Sequence, residues 1–315
     1  MKKDLVSVAD LSGEEILDLF RFAKEMKRKF KEGKGEKPLA DKTLAMIFEK
    51  PSLRTRVTFE TGMTQLGGHA IYLAPSDIGL GKRESVPDVA QNLSRWVDGI
   101  MARTFAHQTI ADLAKHAAVP VINALSDLEH PCQILADFFT IYERQKHLDR
   151  IKLAYLGDGN NVCNSLLLAA GLLGTHMTVA CPRGYEPSSA FFSLATGFAR
   201  GSRARLEVLR VPDEAVEGAD VVYTDVWASM GQEAEAEKRA KIFARYQVNE
   251  KLLSNAKEDA LVMHCLPAHR GSEITDEVLD GPNSIVLDEA ENRLHIQKAI
   301  MVKLMATKPE TRSLP

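Results

Sequence analysis

Ser52-Leu53-Arg54-Thr55-Arg56 places two hydroxyls and two guanidiniums within five residues. The segment follows the apolar run that ends at Phe48 and opens a helical pattern of Val57, Phe59, Met63 and Leu66. Backbone N–H groups at a helix start, hydroxyls and guanidiniums together suit a phosphate or phosphonate. An arbitrary string of this kind is as often a polar cap with solvated arginines; its place at a strand end favours function. Arg103 closes the run Gly99-Ile100-Met101-Ala102, where a lone arginine can equally cap a strand in solvent. His130 and Gln133 are three residues apart, with Pro131 suited to the first helical position. That spacing puts both side chains on one side of a first turn. An imidazole donates to an oxygen, and an amide accepts from an NH2 group. Taken singly, His130 is more often a structural histidine. With the arginines, the set matches a small carbonyl compound bearing phosphate.

A second group lies further along. Leu156-Gly157-Asp158-Gly159-Asn160-Asn161 superficially resembles a dinucleotide fingerprint. Its third glycine would fall at Val162, and the next strand ends in Cys181-Pro182-Arg183 without the ribose-binding acid, so a nicotinamide reading is weak. Asp225-Val226-Trp227-Ala228-Ser229-Met230-Gly231 offers a carboxylate for an α-ammonium and a hydroxyl for an α-carboxylate. By composition alone it is also a polar loop anchored by Trp227. His264-Cys265-Leu266-Pro267 and His269 flank one thiol with two histidines. A structural zinc is disfavoured, because no second cysteine and no H-E-x-x-H lies near. A Cys–His nucleophile stays open on spacing.

These residues must be positioned by a scaffold. At 315 residues, two domains of roughly 150 each are expected. Hydrophobic residues make up 45% and charged residues 26%, an ordinary core and surface. Forty basic and 43 acidic residues, net −3, are spread along the chain, which argues against a nucleic-acid surface. The basic residues from Lys24 to Lys37 are interleaved with acids and read as a solvated helix face. Cys132, Cys163, Cys181 and Cys265 are unevenly spaced, as reduced thiols of a cytoplasmic protein would be. No signal peptide is visible, and Leu166–Leu173 is far short of the ~20 apolar residues that span a membrane.

Ser12 and Glu15 form a capping box ahead of an amphipathic helix. Strands are expected near Thr43–Phe48, Ala70–Leu73, Gly99–Arg103 and Pro120–Asn123. A second set is expected near Ile151–Leu156, Met177–Ala180, Arg205–Leu209, Val221–Thr224, Leu261–His264 and Ser284–Leu287. Helical stretches of crossover length between them predict an α/β protein with two doubly wound parallel-sheet domains. The helix around Cys132–Arg144 separates the two sets, so a boundary is expected near residue 145. The final helix is expected over Glu291–Met305. Nearly every loaded segment falls just after a strand, where ligands of open α/β sheets bind, so one shared cleft between the domains is expected.

Read together, S-x-R-T-R, H-P-x-Q, D-x-W-x-S-M-G, H-C-L-P and Glu291-Asn292-Arg293 resemble the aspartate and ornithine carbamoyltransferase family, over about residues 1–307. The resemblance implies that residues 1–145 bind carbamoyl phosphate, with the C-terminal helix (about 291–315) packing back on them, and that 146–290 bind L-ornithine. By the same resemblance Ser52, Leu53 (through its backbone, where many relatives have threonine), Arg54, Thr55 and Arg56 hold phosphate. Arg103 and His130 contact the carbonyl oxygen or phosphate, Gln133 the carbamoyl NH2, and Arg293 the carbamoyl oxygen; Arg56, Arg103, His130 and Arg293 are the implied stabilisers of developing charge, and Cys265 and Asp225 the candidates to steer the neutral amine. Cys265 and Leu266 lie against the carbamoyl carbon and the δ-nitrogen; Asn161, Asp225, Ser229 and Met230 hold the amino-acid end. The implied reaction moves the carbamoyl group to the δ-amine, giving L-citrulline and phosphate, with carbamoyl phosphate bound first and no cofactor or metal. Pro87, in the loop after Lys82-Arg83-Glu84-Ser85, implies a homotrimer or a multiple of one. The rival readings are another acceptor (aspartate, putrescine or N-acetylornithine), a catalytically silent carbamoyl phosphate-binding relative, and a nicotinamide enzyme.

Overall fold

The computed structural model describes residues 1–145, 147–228 and 233–306. Two compact units divide the chain, one formed by Met1–Ala136 with the segment from Asn292 onward, the other by Asp137–Glu291. The first contains strands β1 (Thr43–Phe48), β2 (His69–Leu73), β3 (Gly99–Arg103) and β4 (Val121–Leu125). The second contains β5 (Lys152–Leu156), β6 (His176–Ala180), β7 (Leu206–Leu209), β8 (Val221–Thr224) and β9 (Leu261–His264). Among the described residues the helices of eight residues or more are α1 (Gly13–Lys31), α2 (Leu53–Gln65), α3 (Val86–Leu93), α4 (His107–His116), α5 (Pro131–Arg144), α6 (Asn161–Leu173), α7 (Ser189–Ser202), α8 (Ala236–Phe243) and α9 (Val286–Met305).

Both sheets are entirely parallel, in the orders β2-β1-β3-β4 and β7-β6-β5-β8-β9. Strand order reverses between β1 and β3 in the first sheet and between β5 and β8 in the second. At such a switch point the connections leave to opposite sides and open a crevice at the carboxyl ends of the strands. Continuous burial of Leu44–Phe48 shows that β1 is covered on both faces. Ala45, Ile47, Ile100, Ala102 and Val121 form the first core with Val89, Ala90, Ile110 and Leu113 from α3 and α4. In the second unit Ala154, Leu156, Val222 and Val262 pack with Trp227, Phe243 and Tyr246. Helix α6 is buried nearly all round, which suits its run of leucines and alanines.

Local rules place most elements. Ser12 accepts from the Glu15 N–H and Glu15 answers to the Ser12 N–H, the capping box that starts α1. Helix α9 reaches α2 because Gly62 has no side chain: a Cβ there would come within 2.8 Å of Met301. Three expectations, on Ser284–Leu287, on the start of the last helix and on Pro87, are corrected. Ser284–Leu287 is not a strand: Val262 N–H donates to Asn283 and Ile285 N–H donates to Val262, one bridge beside β9. Asp288 and Glu289 then favour a helix N-terminus, so α9 starts at Val286, five residues before the expected Glu291. The division between the compact units falls at Ala136/Asp137, inside α5. Pro87 lies in the first turn of α3 and not in the preceding loop. No helix among the described residues is long and apolar enough to cross a membrane.

The β5–α6 turn depends on close backbone approach. Gly157 has φ +137°, and a Cβ on Gly159 would overlap the backbone of Glu186 and Pro187. These glycines therefore pack the turn tightly against a neighbouring loop. We expect Gly159→Ala to cost about 1–3 kcal/mol in urea denaturation; an unchanged midpoint would contradict this packing.

Candidate functional site

In the first unit, Ser52 takes an extended conformation and its Oγ accepts the Thr55 N–H at 3.3 Å, starting α2. Leu53 is exposed, so its side chain is spent on no core. Thr55 is fully buried, and its Oγ1 accepts from Arg293 Nη2 of α9 at 2.9 Å. Arg103 ends β3 where the pairing with β4 slips: Ala102 faces Asn123 but Arg103 faces Leu125. A bulge of this kind re-aims the side chain that follows it. His130 and Gln133 are buried at the start of α5. Burial first, then the charges of Arg293, Arg103 and Arg54, hold the His130 imidazole well below the usual histidine range. The imidazole is thus neutral beside three guanidiniums, with one ring N–H to donate. Such a cluster attracts an anion carrying several oxygens. Arg56 is the exception: its Nε donates to Glu60 at 2.9 Å and its guanidinium lies 3.7 Å from the Tyr72 ring centroid. To join the cluster it must leave both.

In the second unit, Asp225 follows β8 at the switch point. Asn160, the N-cap of α6, donates from Nδ2 to Asp225 Oδ2 at 2.7 Å while its Oδ1 accepts from Val162 and Cys163. This bond spans the β5/β8 crevice. Cys265, after β9, donates its S–H to Asp225 Oδ1 at 3.1 Å. Burial, then the negative charge of Asp225 and Glu289, pushes the Cys265 thiol well above the usual range. It is a protonated donor, which disfavours the Cys–His nucleophile. Asn161 opens α6, its Oδ1 accepting the Val162 N–H at 3.0 Å. Leu266 has φ +56°, and its N–H donates to His264 Nδ1 at 2.9 Å. Ser229 and Met230 lie outside the described residues.

Asp225, His264 and Cys265 bring three possible metal-ligand atoms within 4.8 Å of one another. His264 already uses both ring nitrogens: Nδ1 accepts from Leu266, and Nε2 is 3.1 Å from Glu273 Oε1. Nδ1 is thereby the acceptor and Nε2 carries the proton. A metal would have to displace one of these bonds, so the donor set fits a metal poorly.

Some supporting residues were not singled out by sequence reasoning. Arg239 of α8, buried, donates to Asp158 at 2.8 Å and to the Trp227 carbonyl at 2.9 Å, tying the start of the Asp225 loop to the β5 turn. Glu273 accepts from His264 and from the His269 N–H at 2.6 Å. Neither shows a local signal, since each pairs with residues distant in the chain or part of another motif.

A thiol held protonated reacts slowly. Cys265 is expected to alkylate with iodoacetamide at pH 8 more than about tenfold slower than free cysteine, and Asp225→Asn to raise that rate by removing the adjacent negative charge. A wild-type rate equal to that of free cysteine would contradict the environment described.

Residues 3–143 match the family model described as aspartate/ornithine carbamoyltransferase, carbamoyl-P binding domain, and residues 149–304 match the Asp/Orn binding domain of the same family. An ornithine carbamoyltransferase of Methanosarcina acetivorans is 53% identical over 305 residues, covering 97% of this chain and 100% of that protein. One of Pyrococcus horikoshii is 54% identical over 303 residues, covering 96% of each. Among solved structures, ornithine carbamoyltransferase from Pyrococcus furiosus superposes with a TM-score of 0.94 at 53% identity, covering 96% of both chains. The anabolic ornithine carbamoyltransferase of Campylobacter jejuni gives 0.90 at 40% identity, covering 96% of this chain and 98% of that one. With its two family domains matched in order along nearly its whole length, the chain belongs to the aspartate/ornithine carbamoyltransferase family.

Proposed function

We propose that this protein transfers the carbamoyl group of carbamoyl phosphate to the δ-amine of L-ornithine, giving L-citrulline and phosphate. The observation that carries the reading is the chemistry of the two polar groupings. Arg54, Arg103 and Arg293 surround a neutral His130 beside the N-terminus of α2, and Asp225 is held by Asn160 and Cys265. The first suits a phosphorylated carbonyl compound and the second an ammonium.

In this reading Ser52, Leu53 through its backbone, Arg54, Thr55 and Arg56 hold the phosphate, Arg56 after turning from Glu60. Arg56, Arg103, His130 and Arg293 stabilise charge developing on the carbonyl and phosphate oxygens, and Gln133 orients the carbamoyl NH2. Preorganised donors of this kind are typically the largest catalytic term, about 3 kcal/mol each on removal. Asp225, Asn161, Ser229 and Met230 hold the amino-acid end of ornithine, with Cys265 and Leu266 beside the reacting nitrogen. Carbamoyl phosphate binds first and ornithine second. Residues 1–145 with the C-terminal helix form the carbamoyl phosphate-binding part, and 146–290 the ornithine-binding part. The chain works in the cytoplasm as a homotrimer or a multiple of one; exposed Leu53, Val57, Ile71 and Trp96 supply apolar surface for assembly. Light scattering should give three times the 34.8 kDa chain mass or a multiple of that, and a monomer would remove this part of the reading.

Citrulline formation measured in parallel with ornithine, aspartate, putrescine and N-acetylornithine should show turnover with ornithine alone. Asp225→Asn should raise KM for ornithine about 10- to 100-fold, the loss of roughly 1.4–2.8 kcal/mol expected for a charge-assisted contact, without changing carbamoyl phosphate affinity. Arg103→Ala should lower kcat about 100- to 1,000-fold. Turnover with another acceptor would keep the carbamoyl phosphate half and sink the assignment of Asp225. Because a free alkylammonium has a pKa of about 10.4, kcat/KM for ornithine should rise with pH between 7 and 9 as the neutral amine grows. Cys265→Ala should leave that slope unchanged, since the thiol does not titrate there; a flattened slope would make Cys265 the base.

A further inference from the structure

Behind the Asp225–Cys265 pair lies a second cluster of acids that the reaction as proposed does not use. Asp137 of α5 and Glu289 of α9 are 0% and 1% exposed, and their carboxyl groups hydrogen-bond to each other. The fully buried Tyr223 hydroxyl donates to Asp137 Oδ2 at 2.9 Å and lies 3.3 Å from Glu289 Oε1. The other Glu289 oxygen, Oε2, accepts the His264 backbone N–H at 3.1 Å. Tyr223 stands two residues before Asp225 on β8, and His264 immediately before Cys265 on β9. The cluster thus grips the two strand ends that deliver the site pair, one through a side chain and one through the backbone.

A carboxyl–carboxylate hydrogen bond needs a proton, because carboxylates only accept. Two buried like charges in contact are also strongly disfavoured. One proton on Glu289 Oε1 fits these contacts. That oxygen then donates to Asp137, Asp137 also accepts from Tyr223, and Oε2 is left for His264. We propose that Asp137 and Glu289 share one proton, and that this singly charged pair is a positioning device that sets Asp225 and Cys265 through Tyr223 and His264. The positioning half rests on the reading of Asp225 as the ammonium contact. Among the groups that face it, Glu289 meets the Asp137 carboxyl from α5, the Tyr223 hydroxyl from β8 and the His264 backbone N–H at the end of β9, and its charge reaches the Cys265 thiol. Burial, then Asp137, accordingly pushes the Glu289 carboxyl well above the usual range. Because the folded value is raised, the stabilisation is full below the ordinary carboxylate range and is lost as pH rises through the folded value.

Infrared difference spectra of the wild type against Glu289→Gln in D2O at neutral pH read the proton directly. The wild type should carry a carbonyl-stretch band of a protonated carboxyl that the variant lacks; absence of the band overturns the shared proton, whatever the substrate. Glutamine can donate to Asp137 and accept from His264, so this variant should keep kcat and KM within about twofold (~0.4 kcal/mol). Tyr223→Phe keeps the ring and removes the hydroxyl. It should raise KM for ornithine three- to tenfold while carbamoyl phosphate affinity and melting temperature stay near wild type. A present band with an unmoved KM in Tyr223→Phe would leave the proton and overturn the positioning. Should Asp225→Asn itself leave KM for ornithine unchanged, the reading of Asp225 fails while the band still reports on the pair.

Discussion

Every strand of a parallel sheet ends on the same edge, and backbone groups beyond that edge must find partners outside the ladder. In both units of this chain that edge is where polar chemistry collects. Ser52–Arg56 follow β1 and Arg103 ends β3, the two strands that flank the first switch point. Asn160 and Asp225 follow β5 and β8, which flank the second, and the 2.7 Å bond between them closes the crevice mouth. Apolar burial on both faces of the central strands makes this arrangement rigid: with no freedom to slide, a one-residue bulge at Ala102/Arg103 or a tight Gly159 turn translates directly into where a head group sits.

The two polar groupings differ in sign, and each sign adds to burial in setting the protonation of its neighbour. Burial, then the guanidiniums around His130, disfavour an imidazolium, so the ring stays neutral. Burial, then the carboxylates around Cys265, disfavour a thiolate, so the sulfur stays protonated. Both groups are left as neutral donors, which keeps added charge out of a buried site while still offering a directed hydrogen bond. At Glu289, burial and then the neighbouring Asp137 raise the carboxyl in the same way.

What was legible in the sequence followed from local rules. Period-two and continuous apolar runs marked nine strands, and Thr43–Phe48, Gly99–Arg103, Val221–Thr224 and Leu261–His264 matched residue for residue. The motifs stood out because a site concentrates chemistry just after a strand. Ser284–Leu287 misled because a short apolar run beside Asn and Ser looks alike in a strand and in a helix start; Asp288 and Glu289 decide it, and they lie outside the run. Long-range partners were invisible for a different reason. Arg239 looked like one charge in a polar run, although it is buried against Asp158, 81 residues away. Asp137 and Glu289 sit on α5 and α9, 152 positions apart in the numbering, and only the tertiary fold brings two acids into contact. Arg56 shows the reverse limit: its motif marks it for phosphate, yet with Glu60 one turn on and Tyr72 beside it, the side chain has other partners to satisfy.

On the proposed reading, the hardest step is losing a proton from the attacking amine. The two side chains that look most like acid–base groups in the motifs are poorly suited to take it. A thiol that is already protonated, and held so by burial and adjacent carboxylates, accepts nothing. An imidazole whose basicity is suppressed by burial and three guanidiniums would gain a positive charge among positive charges. The group that meets neither obstacle is brought by the substrate. A phosphate oxygen has a second pKa of about 6, and the guanidiniums that weaken His130 as a base stabilise the phosphate whether singly or doubly charged. As the carbamoyl carbon–oxygen bond breaks, negative charge accumulates on that oxygen just as the nitrogen becomes acidic, so proton transfer to it runs with the reaction. The chain's own residues then act by binding, orienting and stabilising, and the proton leaves with the phosphate.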